Sequence, residues 1–290
     1  MRIKVLNIGP IEWFSPHFIY NDNVIEAMEY DPLKRKDDLS KVIQDNNIDA
    51  INVFRYDLVA DELNRLRNIP ILEWSTEIFP RTLSYKSFKY NTIQKFFHCL
   101  SKTSLDKKFV HYDSSRAHFL DLTSFSYLNH FLPVNISYVD SSLERNIDVL
   151  FFGRSSAKRY MYLSKIKELG IKFIWIENGL SFKELSYYLN RTKVVVNMPA
   201  EELDNFEPRI NIALAYGAVV VTEVSYGLID FFANQKLEIT SRIYTYDKTI
   251  DDFIGTIFMA LSNYYNDTSL LSLFSSNKVF LECLKNAYTE

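Results

Sequence analysis

Residues 193–223 read KVVVNMPAEELDNFEPRINIALAYGAVVVTE, and this stretch decides the fold. Val194, Val195 and Val196 form a β-branched run without polar alternation, the pattern of a parallel strand buried on both faces. A polar loop from Pro199 to Phe206 leads into Glu207-Pro208-Arg209. Proline suits the first helical turn, where its missing N–H has no partner to lose. Ile210, Ala213 and Leu214 recur at helical spacing and define one apolar face. Gly217 fits the left-handed position that ends a helix, and Ala218 to Val221 reads as a second buried strand. The loop-to-helix junction therefore falls at the carboxyl end of a parallel strand. Open α/β sheets bind ligands there, and bare helix N–H groups receive phosphate.

The same alternation extends in both directions. Ile147 to Phe152 reads as a strand ending at Gly153-Arg154, Ser156 to Leu169 as a helix, Lys172 to Ile176 as a strand and Ser181 to Asn190 as a helix. Downstream lie a strand from Ile243 to Tyr246, a helix from Thr249 to Tyr265 and a last helix from Ser272 to Ala287. In the first half, Arg2 to Ile8, Ile48 to Phe54, Pro70 to Trp74, Lys108 to Tyr112 and Tyr127 to Pro133 read as strands. Asp22-Asn23 is expected to cap a helix through Met28, Asp37-Asp38 another through Asn46, and Asp113 a third to Leu120. Leu58 to Arg67 also has helical spacing. This order implies parallel sheets with right-handed crossovers. The polar connection from Asp140 to Asn146 divides the chain into expected domains 1–140 and 141–290, with the last helix packing back on the first.

A chain of 290 residues fits two domains of about 100–150 residues. The net charge of −3 gives no basic excess for nucleic acid. Only 7 glycines argue against glycine-rich phosphate loops, so phosphate binding is expected to fall to basic side chains and helix ends. Cys99 and Cys283 stand far apart and read as reduced core thiols. Met1 to Asn7 is too short an apolar run for a signal peptide, and no apolar run approaches ~20 residues. A cytoplasmic protein is expected. Lysines alternate with aromatics from Tyr85 to Tyr90, compatible with peripheral contact at the inner membrane face or with an ordinary helix whose lysines face water.

The second half resembles the nucleotide-sugar domain of GT-B glycosyltransferases, and more narrowly their group-1 and spore-maturation (CgeB-like) branch. The residues that carry the likeness are Asp148 to Arg154 (DVLFFGR), Glu184 to Leu189 before Val194 to Asn197, the Glu207-Pro208-Arg209 helix start, and Ala215 to Glu223 (AYGAVVVTE). The likeness covers residues 147–225; the first half matches in element order only. It implies two Rossmann-like doubly wound α/β domains facing a cleft, and transfer of a hexose from a nucleoside-diphosphate sugar to a hydroxyl without a metal. UDP is the expected nucleotide, and a bacterial surface glycan or glycolipid the expected acceptor. Many retaining members carry two glutamates eight positions apart. Here those positions hold Asp204 and Ile212, so retaining chemistry does not carry over.

Glycosyl transfer needs a stabilised leaving diphosphate and a base for the acceptor hydroxyl. Arg209, in the first helical turn, offers a guanidinium beside free N–H groups, with an ion pair to Glu207 or Glu202 that pins the loop as the competing role. Arg154 lies just past a strand end and is expected to contact phosphate or ribose; Lys158 and Arg159 follow on the next helix and read as a solvated face from which one, Arg159, reaches the ligand. Asn197 follows its strand directly and either bonds the donor or caps the turn. Glu207 is the ribose candidate, with helix-end stabilisation as the competing role. Glu177 and Gly179 are expected to frame the nucleobase, with a plain turn as the alternative for Gly179, and Asn211 completes the donor set. Glu12 is the first candidate for the base and His17 the second, with Glu77 at a further strand end. The acidic loop Glu201-Glu202-Asp204 lacks ligand spacing, and no metal is expected. Two competing readings are a GT-B nucleotide-sugar epimerase and a non-catalytic protein that binds a nucleotide or a partner.

Overall fold

The computed structural model describes residues 2–34, 37–66, 68–74, 108–111, 127–130, 132–199, 207–225, 227–229, 233 and 237–288. They fall into two compact units: Met1–Asn135 with Ser276–Glu290, and Ile136–Ser275.

The first unit carries β1 (Ile3–Ile8), β2 (Ile25–Tyr30), β3 (Ala50–Phe54), β4 (Ile71–Trp74), β5 (Lys108–His111) and β6 (Tyr127–Asn129). They form one parallel sheet in the order β2-β1-β3-β4-β5-β6. The helix expected from Asp22 to Met28 is strand β2 instead. The Asp22 carboxylate accepts from Val24 N and Ile25 N at 2.7 Å each, so it closes a turn into a strand. Aspartate makes the same bonds at a helix start, and β-branched Val24-Ile25 tips the choice toward strand. The Asp38-capped helix forms over Leu39–Asn46, with Asp38 accepting from Ser40 N at 2.8 Å. The helical spacing from Leu58 yields only a 3-10 turn, Tyr56–Leu58, and a four-residue helix, Ala60–Leu63. The last helix, Ser276–Tyr288, joins this unit: Ser276 Oγ donates to the Phe18 carbonyl, and Asn277 Nδ2 to that of Tyr20, both at 2.9 Å.

The second unit carries β7 (Ile147–Phe152), β8 (Phe173–Ile176), β9 (Thr192–Asn197), β10 (Val219–Glu223) and β11 (Ile243–Tyr246) in the order β8-β7-β9-β10-β11. All pairings are parallel. Val194, Val196, Val219 and Val221 pack with Tyr162, Leu163 and Ile166 of the Ala157–Lys167 helix and Phe253, Ile257 and Ala260 of the Ile250–Ser262 helix. Val195 and Val220, alternating with them, are equally buried, so both faces are covered as a parallel sheet requires. Each such valine stabilises by about 1.5–3 kcal/mol.

The Pro208–Ala215 helix ends as its sequence asks. Gly217 has φ +74°, its N–H bonds Leu214 O and that of Ala218 bonds Ala213 O, both at 3.0 Å. Two arginines lock this turn: Arg145 donates to the Tyr216 carbonyl, and Arg242 Nη2 to that of Gly217 at 2.8 Å. The far end of the helix is thereby fixed, and with it the direction in which Arg209 leaves the near end.

Candidate functional site

In chain order the second sheet runs 2-1-3-4-5, so its direction of winding reverses between β7 and β9. Chain connections leave opposite faces on either side of that point and open a crevice at the strand carboxyl ends, where doubly wound sheets bind ligands. Two guanidinium groups bridge this crevice. Arg209 donates Nε to the Phe152 carbonyl at 2.7 Å and Nη1 to Asn197 Oδ1 at 2.6 Å. Arg159 donates Nε and Nη2 to the Met198 carbonyl at 2.9 and 2.7 Å, and Nη1 to the Arg154 carbonyl at 2.7 Å. Each therefore ties the end of β7 to the end of β9.

Gly153 is the floor on which they meet. Its φ is +146°, and a Cβ there would lie 2.9 Å from Arg209 Nη2 and 3.6 Å from Arg159 Nη1. Both guanidinium carbons also lie 5.2 Å from the Phe151 ring centroid. Burial pulls Arg209 down to about 10, opposed by the negative Glu207 and reinforced by the positive Arg159. Arg159 is lowered for the same leading reason, with Glu207 again opposing. Both stay protonated near neutrality, and two like charges held together make a ready anion site.

The two arginines divide the work. All three nitrogens of Arg159 go to backbone carbonyls and its side chain is buried, so it braces the crevice rather than facing a ligand. Arg209 is only partly buried, and among the described residues its Nη2 has no hydrogen-bond acceptor. Asn197, expected at the donor, spends both ends internally: Oδ1 on Arg209 and Nδ2 on Thr222 Oγ1 at 2.9 Å. Thr222 was not a sequence candidate. The one signal for it is a hydroxyl closing the apolar run Val219-Val220-Val221.

Glu207 sits at the N-cap of the Pro208–Ala215 helix with its side chain making no capping bond, close enough to raise both arginines. Arg154 is exposed on the loop after Gly153. Glu177 and Gly179 are exposed after β8, and Ser155 Oγ donates to Glu177 Oε2 at 3.4 Å, joining the β7 and β8 loops. Gly179, at φ +86°, takes the turn into the Ser181-capped helix. Asn211 is fully buried in its helix. Lys158 is paired with Glu223 at 2.6 Å, at the end of β10.

The candidate bases lie in the first unit. Glu12 is exposed on the Ile11–Phe14 helix just past β1. His17 is buried, with Nδ1 2.6 Å from the Pro133 carbonyl, so Nδ1 carries the proton and Nε2 is the acceptor. Burial pulls the imidazole down to about 4, which leaves it neutral but weakly basic near pH 7. Glu77, the Tyr85–Tyr90 stretch, the Asp113–Leu120 helix and the Glu201-Glu202-Asp204 loop lie outside the described residues. Among the described residues, no group of three or more His, Cys, Asp or Glu is placed to hold a metal ion, and no helix is long and apolar enough to cross a membrane.

No family model and no curated protein matches this chain. Solved structures do match its architecture. Sucrose-phosphate synthase from Thermosynechococcus elongatus aligns with a TM-score of 0.54 and 10% identity, over 96% of this chain and 86% of that one. AviGT4, a glycosyltransferase involved in avilamycin A biosynthesis, aligns at 0.51 and 11%, over 98% and 97%. The fold is GT-B. A GT-B-like likeness of the same strength reaches the UDP-GlcNAc 2-epimerase from Neisseria meningitidis bound to UDP-GlcNAc, at 0.54 and 10%, over 98% and 100%. In GT-B terms the arginine-bridged crevice belongs to the second Rossmann-like unit, and Glu12 and His17 to the first.

Proposed function

We propose that this GT-B chain is a glycosyltransferase that moves a hexose from a nucleoside-diphosphate sugar to a hydroxyl acceptor. The observation that carries the reading is the pair of guanidiniums across the β7/β9 crevice, with Arg209 Nη2 lacking an acceptor among the described residues on a side chain from the first turn of the Pro208–Ala215 helix. As the bond between the anomeric carbon and the diphosphate oxygen breaks, negative charge grows on the leaving group. In this reading the Arg209 guanidinium and the positive end of its helix receive that charge, and a preorganised donor of this kind contributes about 3–4 kcal/mol to a transition state. The acceptor oxygen bonds the anomeric carbon and gives up its proton, and Glu12 is the base we assign. His17, neutral and bonded to Pro133, supports the loop that follows β1. Glu207 is the ribose ligand, Arg154 a second phosphate contact, and Glu177 with Gly179 the nucleobase frame.

The donor nucleotide is UDP and no divalent metal is needed, because fixed guanidinium charge takes the metal's place. The acceptor is a bacterial surface glycan or glycolipid, modified in the cytoplasm at the inner membrane face. Placement in the group-1, CgeB-like branch rests on the Asp148–Arg154 and Ala215–Glu223 motifs. Calorimetry with UDP, GDP and ADP tests donor binding, and Arg209→Ala is expected to lose binding and transfer with the fold intact. Normal turnover in that variant overturns the site.

One alternative has support of its own. UDP-GlcNAc 2-epimerases from Neisseria meningitidis and Listeria monocytogenes share this fold as closely as the synthase does. Incubating the chain with UDP-GlcNAc and no acceptor separates the readings: an epimerised sugar replaces the transferase reading, and intact donor retains it.

A further inference from the structure

Arg209 is held by three neighbouring strands, and the outermost contact is indirect. Thr222 on β10 and Asn197 on β9 are register partners, so their side chains stand side by side on one sheet face. Asn197 Nδ2 donates to Thr222 Oγ1 at 2.9 Å, while Asn197 Oδ1 accepts Arg209 Nη1 at 2.6 Å. The threonine hydroxyl turns its own proton toward the Glu223 carbonyl at 3.2 Å, which leaves its oxygen as the acceptor. Every proton in this row runs the same way: Arg209 to Asn197, Asn197 to Thr222, Thr222 to the backbone.

We infer that Thr222 is a positioning residue that sets the direction of the Arg209 Nη2 edge, acting through the orientation of the Asn197 amide. An asparagine side chain has an acceptor end and a donor end of nearly equal size, and only its neighbours choose between them. Arg209 has donors only, so the amide must offer it oxygen. Thr222 enforces that choice by accepting from the other end, inside a buried site where Asn197 is 2% and Thr222 1% exposed. Without the hydroxyl, the amide N–H₂ loses its acceptor in a place water does not reach, and a flipped amide sets donor against donor. Among the described residues the guanidinium then keeps only its bond to Phe152 O, and the direction of its Nη2 edge is no longer held. The inference rests on the donor-binding reading for the identity of the ligand, but the row of bonds stands independently of it.

The test uses Thr222→Val, which keeps the β-branched shape and removes the hydroxyl, beside Thr222→Ser, which restores it. Rotation about the Arg209 Cζ–Nε bond, followed by nitrogen-15 exchange of the Nη protons, is expected to be slow in the wild type and Thr222→Ser and fast in Thr222→Val. Adding Asn197→Asp to Thr222→Val supplies acceptors at both ends and is expected to slow the rotation again, separating amide orientation from loss of packing. Rotation equally slow in all four proteins overturns the inference, whatever ligand binds. In parallel, affinity for inorganic pyrophosphate and UDP is expected to fall about tenfold in Thr222→Val and recover in Thr222→Ser. Unchanged pyrophosphate affinity in Thr222→Val also counts against the relay. Absence of UDP binding in the wild type overturns the functional reading and leaves the rotation result to decide this one.

Discussion

Arg159 reaches across the crevice and places two donors, Nε and Nη2, on the single carbonyl oxygen of Met198, at 2.9 and 2.7 Å. Its third nitrogen holds the Arg154 carbonyl, so one buried side chain ties both walls of the site. Arg159→Lys keeps the charge and loses the fork, leaving at least one of these carbonyls without a partner. Loss of about 2–3 kcal/mol is expected, read as a lower denaturant midpoint, together with weaker UDP binding. An unchanged midpoint would show that the loop after β7 does not depend on this brace.

Gly153 lets the two guanidiniums approach the backbone. In Gly153→Ala the new Cβ starts 2.9 Å from Arg209 Nη2 on a backbone at φ +146°. The strain is expected to cost about 1–3 kcal/mol, and the displaced guanidinium to weaken pyrophosphate binding about tenfold. Retention of wild-type affinity would show that the anion does not use that edge of Arg209.

Glu207 distinguishes a ribose ligand from a bystander charge. Glu207→Gln removes a negative group that acts on both Arg159 and Arg209. Pyrophosphate affinity is expected to rise about two- to threefold through relief of repulsion, while UDP affinity falls about tenfold through loss of the ribose bond. Calorimetric affinities for the two ligands that move in the same direction would remove the ribose assignment.

His17 makes the first unit acid-sensitive. Its imidazole titrates at about 4 in the folded chain, against about 6.5 when unfolded. Above the unfolded value both states are neutral and the group has no effect. As pH falls from 6.5 toward 4 the unfolded chain binds a proton that the folded chain refuses, so stability declines by roughly 3 kcal/mol in all. His17→Gln keeps an N–H for Pro133 and is expected to flatten that part of the curve. Parallel pH dependence of the denaturant midpoints in the two proteins would rule out His17 as the cause.

The strands of the second unit were legible in the sequence because a parallel strand covered on both faces demands an unbroken β-branched run, as Val194–Val196 and Val219–Val221 supply. Gly217 and Ser181 were legible for an equally local reason, since each residue type answers a backbone need within a few positions. Local chemistry failed at Asp22, where the same carboxylate bonds serve a helix start and a turn into β2.

The site divides along the same line. The sequence by itself determined that an arginine opens a helix at the carboxyl end of a buried strand, because periodicity and the Pro208 position fix where that helix begins. Only the tertiary structure decided what each polar residue does there. Phe152, Asn197, Arg209 and Thr222 come from three strands and a helix, and Arg159 from a second helix; winding the sheet in the order 2-1-3-4-5 brings them together. Hydrogen-bond partners far apart in the chain leave no spacing to read. The assignment of Arg159 as brace, Asn197 as holder and Arg209 as the presented charge therefore belongs to the fold.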